Sequence, residues 1–361
     1  MAKFTNAEMC LIWLDSFTGL EYKHKNEIFN LIKGKESISS VIEDAKDYIV
    51  SCVGEGEFRT IKGACNPEYL KGILSELSRN EITPITICSP NYPEVLKNTS
   101  LPPLVLYTVG DASLLSTEMF GIVGSRKAPP IAVNITKDYA NAIANAGFTL
   151  VTGIAEGIDK TVIETALDSN KKVISVIAGG FSNIYPKTHT ALFERLKENA
   201  LVISEHPFSV QPKPYMFPVR NRIIAGLSKG VLIACAGKRS GTVYTAEYAE
   251  EYSRDVFAVP YSIGIACGEG TNDLIKRGAI LTDSPTDILS HYGLAEESQP
   301  TEELSKEENL VVELLKDGEM HIEKICVKLN KKIYEITPII ASLEVKGIIS
   351  RAGINAYTLS R

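Results

Sequence analysis

Apolar residues fall along the chain in successive patterns with different periods. Residues 1 to about 80 carry helical spacing, in Cys10-Leu-Ile-Trp-Leu, Ile28-Phe-Asn-Leu-Ile, Val41-Ile and 70–77, with glycines between. This predicts a helical module over 1–82, of the SAM or helix-hairpin-helix kind. A segment with Pro84, Pro90, Pro93, Pro102 and Pro103 follows and reads as an irregular connector, because proline cannot continue a helix. From Phe120 onward the pattern becomes short apolar runs, each followed by a helical stretch: Gly121-Ile-Val-Gly, Phe148-Thr-Leu-Val, Val173-Ile-Ser-Val-Ile, Leu201-Val-Ile, Val231-Leu-Ile-Ala and Val256-Phe-Ala-Val. Their starts lie 25 to 30 residues apart, enough for a right-handed crossover. Continuous runs are what strands buried on both faces require. The expectation over 83–292 is an α/β domain built on a Rossmann-like open parallel sheet flanked by helices. Residues 294–308 hold six acids against one lysine, so 293–306 reads as an acidic linker. Three amphipathic helical patterns (309–316, 322–329, 333–346) and two short strands around a turn at 351–355 predict a winged helix over 307–361.

Length and composition fit this division. A chain of 361 residues predicts two or three domains, and 44% hydrophobic with 23% charged residues is globular. The net charge of −6 excludes a protein coated with basic residues, so a nucleic-acid binder of this composition must concentrate its positive charge. Seven cysteines, the closest two thirteen residues apart, suit neither a zinc site nor a disulfide framework and point to the cytoplasm. The N-terminus offers only Lys3 before an apolar run that ends at Asp15, so neither a signal peptide nor a membrane span is expected. The five histidines are scattered, and no metal or cofactor is expected. The winged helix is nearly neutral, which leaves DNA contact and protein docking both open for it.

Open parallel sheets bind ligands beyond the carboxyl ends of their strands, where helix N-termini present unpaired N–H groups. After the first run stands Gly124-Ser125-Arg126-Lys127, a turn glycine, a hydroxyl and a planar cation that suits phosphate. After the second comes Thr152-Gly153-Ile154-Ala155-Glu156-Gly157-Ile158-Asp159, which reads as a phosphate cradle or as a plain turn with Asp159 as an N-terminal helix charge. After the third, Gly179 and Gly180 favour close backbone approach, with Lys187 at the rim. Residues 206–246 then carry six basic side chains (Lys213, Arg220, Arg222, Lys229, Lys238, Arg239) and no acid. Such segregation focuses polyanions onto one groove. Within this run Arg220, Asn221 and Arg222 sit near a helix start, Phe217 offers a face for a base, and Ser240, Gly241, Thr242 and Thr245 open another helix. No nucleophile and base pair up in these loops, so no catalytic residues are assigned and a non-enzymatic role is expected.

The ordered series GSR (124–126), TGIAEGID (152–159), YP (185–186), SEHP (204–207), FPVRNRIIAGLS (217–228), SGTVYTAEYA (240–249) and VFAVP (256–260), then LIKRGA (274–279), resembles the DNA-processing protein A family, DprA, also called Smf. The match spans about 170 residues of the sheet domain. The resemblance implies a cytoplasmic bacterial protein that binds single-stranded DNA. It also implies a homodimer through the Rossmann-like domain that loads RecA recombinase during natural transformation. Carried over by motif, Arg126, Lys187, Arg220 and Arg222 grip phosphates while the glycines and hydroxyls of the loops line the same pocket. The chain departs from the family pattern at Thr152, at Val162-Ile163 after the GID motif, at Ile131-Ala132 and at Cys235-Ala236. The competing readings are a nucleotide-binding or phosphoribohydrolase-like enzyme on the same fold, and a protein-interaction scaffold.

Overall fold

The computed structural model describes residues 4–31, 37–238, 240–294, 304–316, 318–353 and 355–359. Contacts divide the chain into two units, Met1–Leu294 and Ala295–Arg361. The first opens with five helices: α1 (Asn6–Asp15), α2 (Tyr22–Leu31), α3 (Ile38–Asp44), α4 (Lys46–Gly63) and α5 (Pro67–Arg79). A capping box starts α1, with Thr5 Oγ1 accepting from the Glu8 N–H at 3.2 Å and Glu8 Oε2 accepting from the Thr5 N–H at 2.8 Å. Fully buried Trp13 donates Nε1–H to the Ala64 carbonyl at 2.9 Å and ties α1 to the end of α4. Buried residues of this segment, Ile28, Ile49 and Ile61 among them, belong to the same hydrophobic core as the sheet that follows. The expected boundary near residue 82 therefore marks a change of element type within one continuous core.

The sheet is built by β1 (Thr83–Thr86), α6 (Glu94–Lys97), β2 (Val105–Gly110), β3 (Met119–Gly124), α7 (Pro130–Asn145), β4 (Thr149–Thr152), α8 (Ile158–Asp168), β5 (Val173–Val176), α9 (Thr190–Asn199), β6 (Leu201–Ser204), α10 (Met216–Leu227), β7 (Gly230–Cys235), α11 (Val243–Glu251), β8 (Asp255–Ala258), α12 (Glu269–Lys276), β9 (Ile280–Leu281) and α13 (Pro285–His291). Strand order is β1-β2-β6-β5-β4-β3-β7-β8-β9. All neighbours from β6 to β9 are parallel, while β2 pairs antiparallel with both β6 and β1. The proline-rich segment is thus not wholly an irregular connector, since it supplies β1 and α6 and leads into β2. Pro84 is tolerated because β1 lies at the sheet edge, where a missing N–H leaves no partner unpaired. Central strands β4, β5, β6 and β7 are buried along their whole length, as their uninterrupted apolar runs require.

The chain runs outward from β3 through β4, β5 and β6, then crosses to β7 on the other side of β3 and continues to β8 and β9. Beside β3 the strand order reverses, which opens a crevice at the carboxyl ends of β3, β4 and β7.

The second unit holds α14 (Lys306–Leu315), β10 (Met320–His321), α15 (Ile322–Leu329), α16 (Ile333–Val345), β11 (Ile349–Gly353) and β12 (Ala356–Leu359), with sheet order β10-β12-β11. This is a winged helix around a core of Val311, Leu315, Ile325, Ile336, Ile340, Leu343 and Tyr357. The two-residue strand β10 was too short to leave a pattern in the sequence. Most of the acidic linker (295–303) lies outside the described residues. Among the described residues no helix is long and apolar enough to cross a membrane.

Candidate nucleic-acid groove

The crevice beside β3 is a cavity of about 420 Å³. The turn after β3 contributes Gly124, Ser125, Arg126 and Lys127; the loop after β4 contributes Ala155 and Asp159. The first two turns of α10 bring Phe217, Arg220 and Asn221, and the loop after β7 brings Ser240, Gly241 and Thr242. A smaller hollow continues it past Arg126, Phe217 and Arg220 to Glu156, Tyr185 and Pro186.

Three cations, Arg126, Lys127 and Arg220, line the groove together with the Asp159 carboxyl. Arg126 is exposed, and its guanidinium lies 4.9 Å from the centroid of the Phe217 ring. Such stacking is worth about 0.5–1 kcal/mol at an exposed site and holds the cation at the mouth. Tyr185 meets Phe217 edge to face at 5.6 Å, which makes a two-ring wall. Arg220 is only 5% exposed and forms the floor. Its Nη1 donates to the Val176 carbonyl at the end of β5, and its Nε donates to Asn221 Oδ1 at 3.1 Å. Among the described residues it makes no ion pair. Burial lowers the Arg220 guanidinium from its ordinary pKa, Asp159 partly offsets this, and Arg126 adds to it. Burial likewise pushes the Asp159 carboxyl up, against the charge of Arg220. A buried cation left under-compensated in this way is a receptor for an anion.

Small residues let the loops close around Arg220. A Cβ on Gly153 would stand 2.2 Å from Asp159 Oδ2 and 2.6 Å from Arg220 Nη2, so any larger residue must displace one of these buried groups. Gly157 has φ +80, and a Cβ there would meet the Ser125 carbonyl at 2.3 Å. The loop after β7 is braced by Ser240 Oγ donating to Thr242 Oγ1 at 2.9 Å, and Asn221 Nδ2 donates to the Gly241 carbonyl at 3.3 Å. That bond fastens α10 to the loop.

Several expected residues are elsewhere. Arg222 is 2% exposed and does not line the groove. Its Nη2 donates to Glu205 Oε2 at 2.5 Å, and its guanidinium packs 4.6 Å from the Tyr22 ring of α2. Burial alone would lower Arg222, but the charge and hydrogen bond of Glu205 together with Tyr22 and Tyr252 outweigh it and the pKa is raised, so this cation already has its counter-charge, although its Nε and Nη1 make no hydrogen bond. Thr245 is fully buried inside α11, and Thr152 is fully buried at the end of β4. Gly180 is buried and packs against the carbonyls of Pro207 and Phe208, with its N–H bonded to Val210 at 2.8 Å. Lys187 and Lys238 are exposed beside the groove segments without lining the cavity. Arg239 lies outside the described residues. Glu156 is exposed at the edge, where Thr188 Oγ1 donates to it at 3.1 Å and His189 Nε2 lies 2.9 Å away. Burial alone would raise Glu156, but the bonds from His189 and Thr188 outweigh it and its pKa is lowered. Tyr185 is a groove residue that the sequence reading passed over, although it stood in the quoted YP motif. Among the described residues no group of His, Cys, Asp and Glu is placed to hold a metal ion.

Comparison with known proteins bears on the same segment. Residues 83–293 match the family model of DNA recombination-mediator protein A. DNA processing protein DprA of Bacillus subtilis is 37% identical over 221 residues, 61% of this chain and 74% of that protein. Protein Smf of Synechocystis is 37% identical over 213 residues, and there the match spans 58% of this chain and about half, 54%, of the relative. The X-ray structure of DprA from Streptococcus pneumoniae superposes with TM-score 0.68 at 29% identity, covering 80% of this chain and 98% of that one. A structure of DNA processing protein A from Helicobacter pylori, which concerns that protein's single-stranded DNA binding mode, matches with TM-score 0.54 at 28% identity over 59% of this chain and 95% of that one.

Proposed function

We propose, since the chain belongs to the DNA recombination-mediator protein A family, that it binds single-stranded DNA in the groove beside β3. Phosphates seat against Arg126 and Arg220, and the loop 240–242 closes over them. The observation that carries this reading is Arg220, a buried guanidinium with no ion-pair partner among the described residues, on the floor of a cavity walled by Phe217 and Tyr185. Asp159 offsets Arg220 only in part, so a phosphate bridging Arg220 and Arg126 adds to the compensation, and the rings offer stacking surface to an unpaired base. The H. pylori protein, whose structure concerns single-stranded DNA binding, supports the choice of ligand.

The protein acts by binding rather than by catalysis, works in the cytoplasm, forms a homodimer through the sheet domain and hands the strand to RecA recombinase during natural transformation. Anisotropy of a labelled oligonucleotide against salt tests the core of this. Three to five phosphates engaged give a log–log slope of roughly −2 to −3.5. Equal affinity for duplex, or no salt slope, overturns the reading. Sedimentation checks the dimer, and the lag before recombinase filaments assemble on the strand checks the hand-over.

A further inference from the structure

A second cavity, of about 450 Å³, lies against the neighbouring face of α10. Met216 and Val219 line it, whereas Phe217, Arg220 and Asn221 line the anion groove, so the two cavities lie on adjacent faces of the same helix. The loop into α10 divides in the same way, with Pro214 on the groove and Tyr215 on the second cavity. Tyr215 stands 62% exposed at the rim, and Leu20 and Tyr22 from the helical segment form the far wall. The volume falls within the ~300–1,000 Å³ typical of small-ligand pockets.

Two buried sets of polar groups in this cavity have fixed positions. Lys25 Nζ donates to the Asp15 carbonyl at 2.7 Å and to Asp15 Oδ1 at 3.0 Å, which leaves that pair matched, and Glu205 is the other. Glu205 is 7% exposed, and Arg222 holds its Oε2 at 2.5 Å. Packing against Tyr22 prevents Arg222 from turning away. Oε1 accepts no hydrogen bond among the described residues, yet it is not among the sealed, unpartnered atoms, so it opens to the cavity that Glu205 lines. The lysines of the lining are already paired, Lys25 with Asp15 and Lys23 with Glu21, so the open carboxylate oxygen repels phosphate and accepts from an N–H. A planar ring with an N–H on its edge satisfies both the walls and the oxygen.

We propose that this cavity receives an unstacked base of the same strand whose phosphates occupy the groove, and that Glu205 selects a base with an exocyclic amine. Cytosine offers its N4 amine, whereas the ring N–H of thymine is flanked by carbonyls that a carboxylate repels. The inference rests on the single-strand reading above.

Three oligonucleotides of equal length test it: oligo-dC, oligo-dT and an abasic backbone, each measured with the wild-type chain and with Val219→Trp. Val219 is 37% exposed at the cavity, so a larger side chain fills the cavity without entering the core. The wild type is expected to bind oligo-dC roughly five- to tenfold more tightly than oligo-dT. Val219→Trp is expected to abolish that preference and leave the affinity for the abasic backbone within twofold. Equal affinity for dC and dT in the wild type overturns the amine assignment. An unchanged preference in Val219→Trp, as a cavity serving a peptide would give, overturns the base site. If none of the three binds, the single-strand reading itself fails, which is a distinct result.

Discussion

Arg222 provides the sharpest test of how the structure divides its arginines. It lies two residues after Arg220 in the same motif, yet it is buried against Glu205 rather than open to the groove. Replacing it with Met leaves the Glu205 carboxylate buried without its partner, and breaking a buried pair from one side costs about 3–5 kcal/mol. At ~2–4 °C per kcal/mol for a unit of this size class, the melting temperature should fall by roughly 6–20 °C. The double variant Arg222→Met with Glu205→Met removes both charges and should recover most of the loss. Thermal unfolding followed by circular dichroism reads both effects. Below its melting range, Arg222→Met should keep the wild-type salt slope for single-stranded DNA, because no phosphate contact has gone. A variant that melts like the wild type but loses about 0.7 from that slope would refute the assignment and put Arg222 on the strand.

Other outcomes follow from the same geometry. Arg126→Glu should lower affinity for single strands and reduce the salt slope by about 0.7 or more, with stability changed by no more than ~0.5 kcal/mol since the residue is exposed. Gly153→Ala forces a methyl between Asp159 and Arg220 and should cost roughly 1–3 kcal/mol together with DNA affinity, whereas Gly241→Ala, where a Cβ meets nothing within 4 Å, should leave stability near wild type. In the winged helix, bonds from Lys346, Ser342 and Ser305 hold the Glu308 carboxyl at about 2, below its usual 4.5. That contribution is present above pH 4.5 and is lost as pH falls toward 2, so the unit should lose stability over this window and Glu308→Gln should flatten the dependence.

The sheet was legible because strands buried on both faces must be apolar throughout, and β4, β5, β6 and β7 are. Strand β1 was not, since Pro84 masked a pattern that an edge position tolerates, and β2, which follows Pro102 and Pro103, was passed over with it. The loops of the groove were legible by position, as strand ends followed by glycine, hydroxyl and cation. Which side chains face the anion was not. Arg220 and Arg222 look alike in sequence, but two residues on a helix are about 200° apart, so only one of them can face the groove. The counter-charge that decides the matter, Glu205, belongs to the segment after β6, and the ring packed on Arg222 comes from α2. Thr245 is hidden too, fully buried in the first turn of α11. The net charge of −6 pointed away from nucleic acid until residues 206–246 were seen to hold six cations and no acid, and the fold brings Arg220 from that run together with Arg126.

The central claim is that phosphates of a single strand sit at the carboxyl ends of β3, β4 and β7. A crystal structure of the protein with a short single-stranded oligonucleotide measures this directly. A phosphate within hydrogen-bonding distance of the Arg220 guanidinium, with Arg126 on the same or the next phosphate and a base against Phe217 or Tyr185, is the predicted result. A strand that crosses the protein elsewhere and leaves Arg220 without an anion would contradict it.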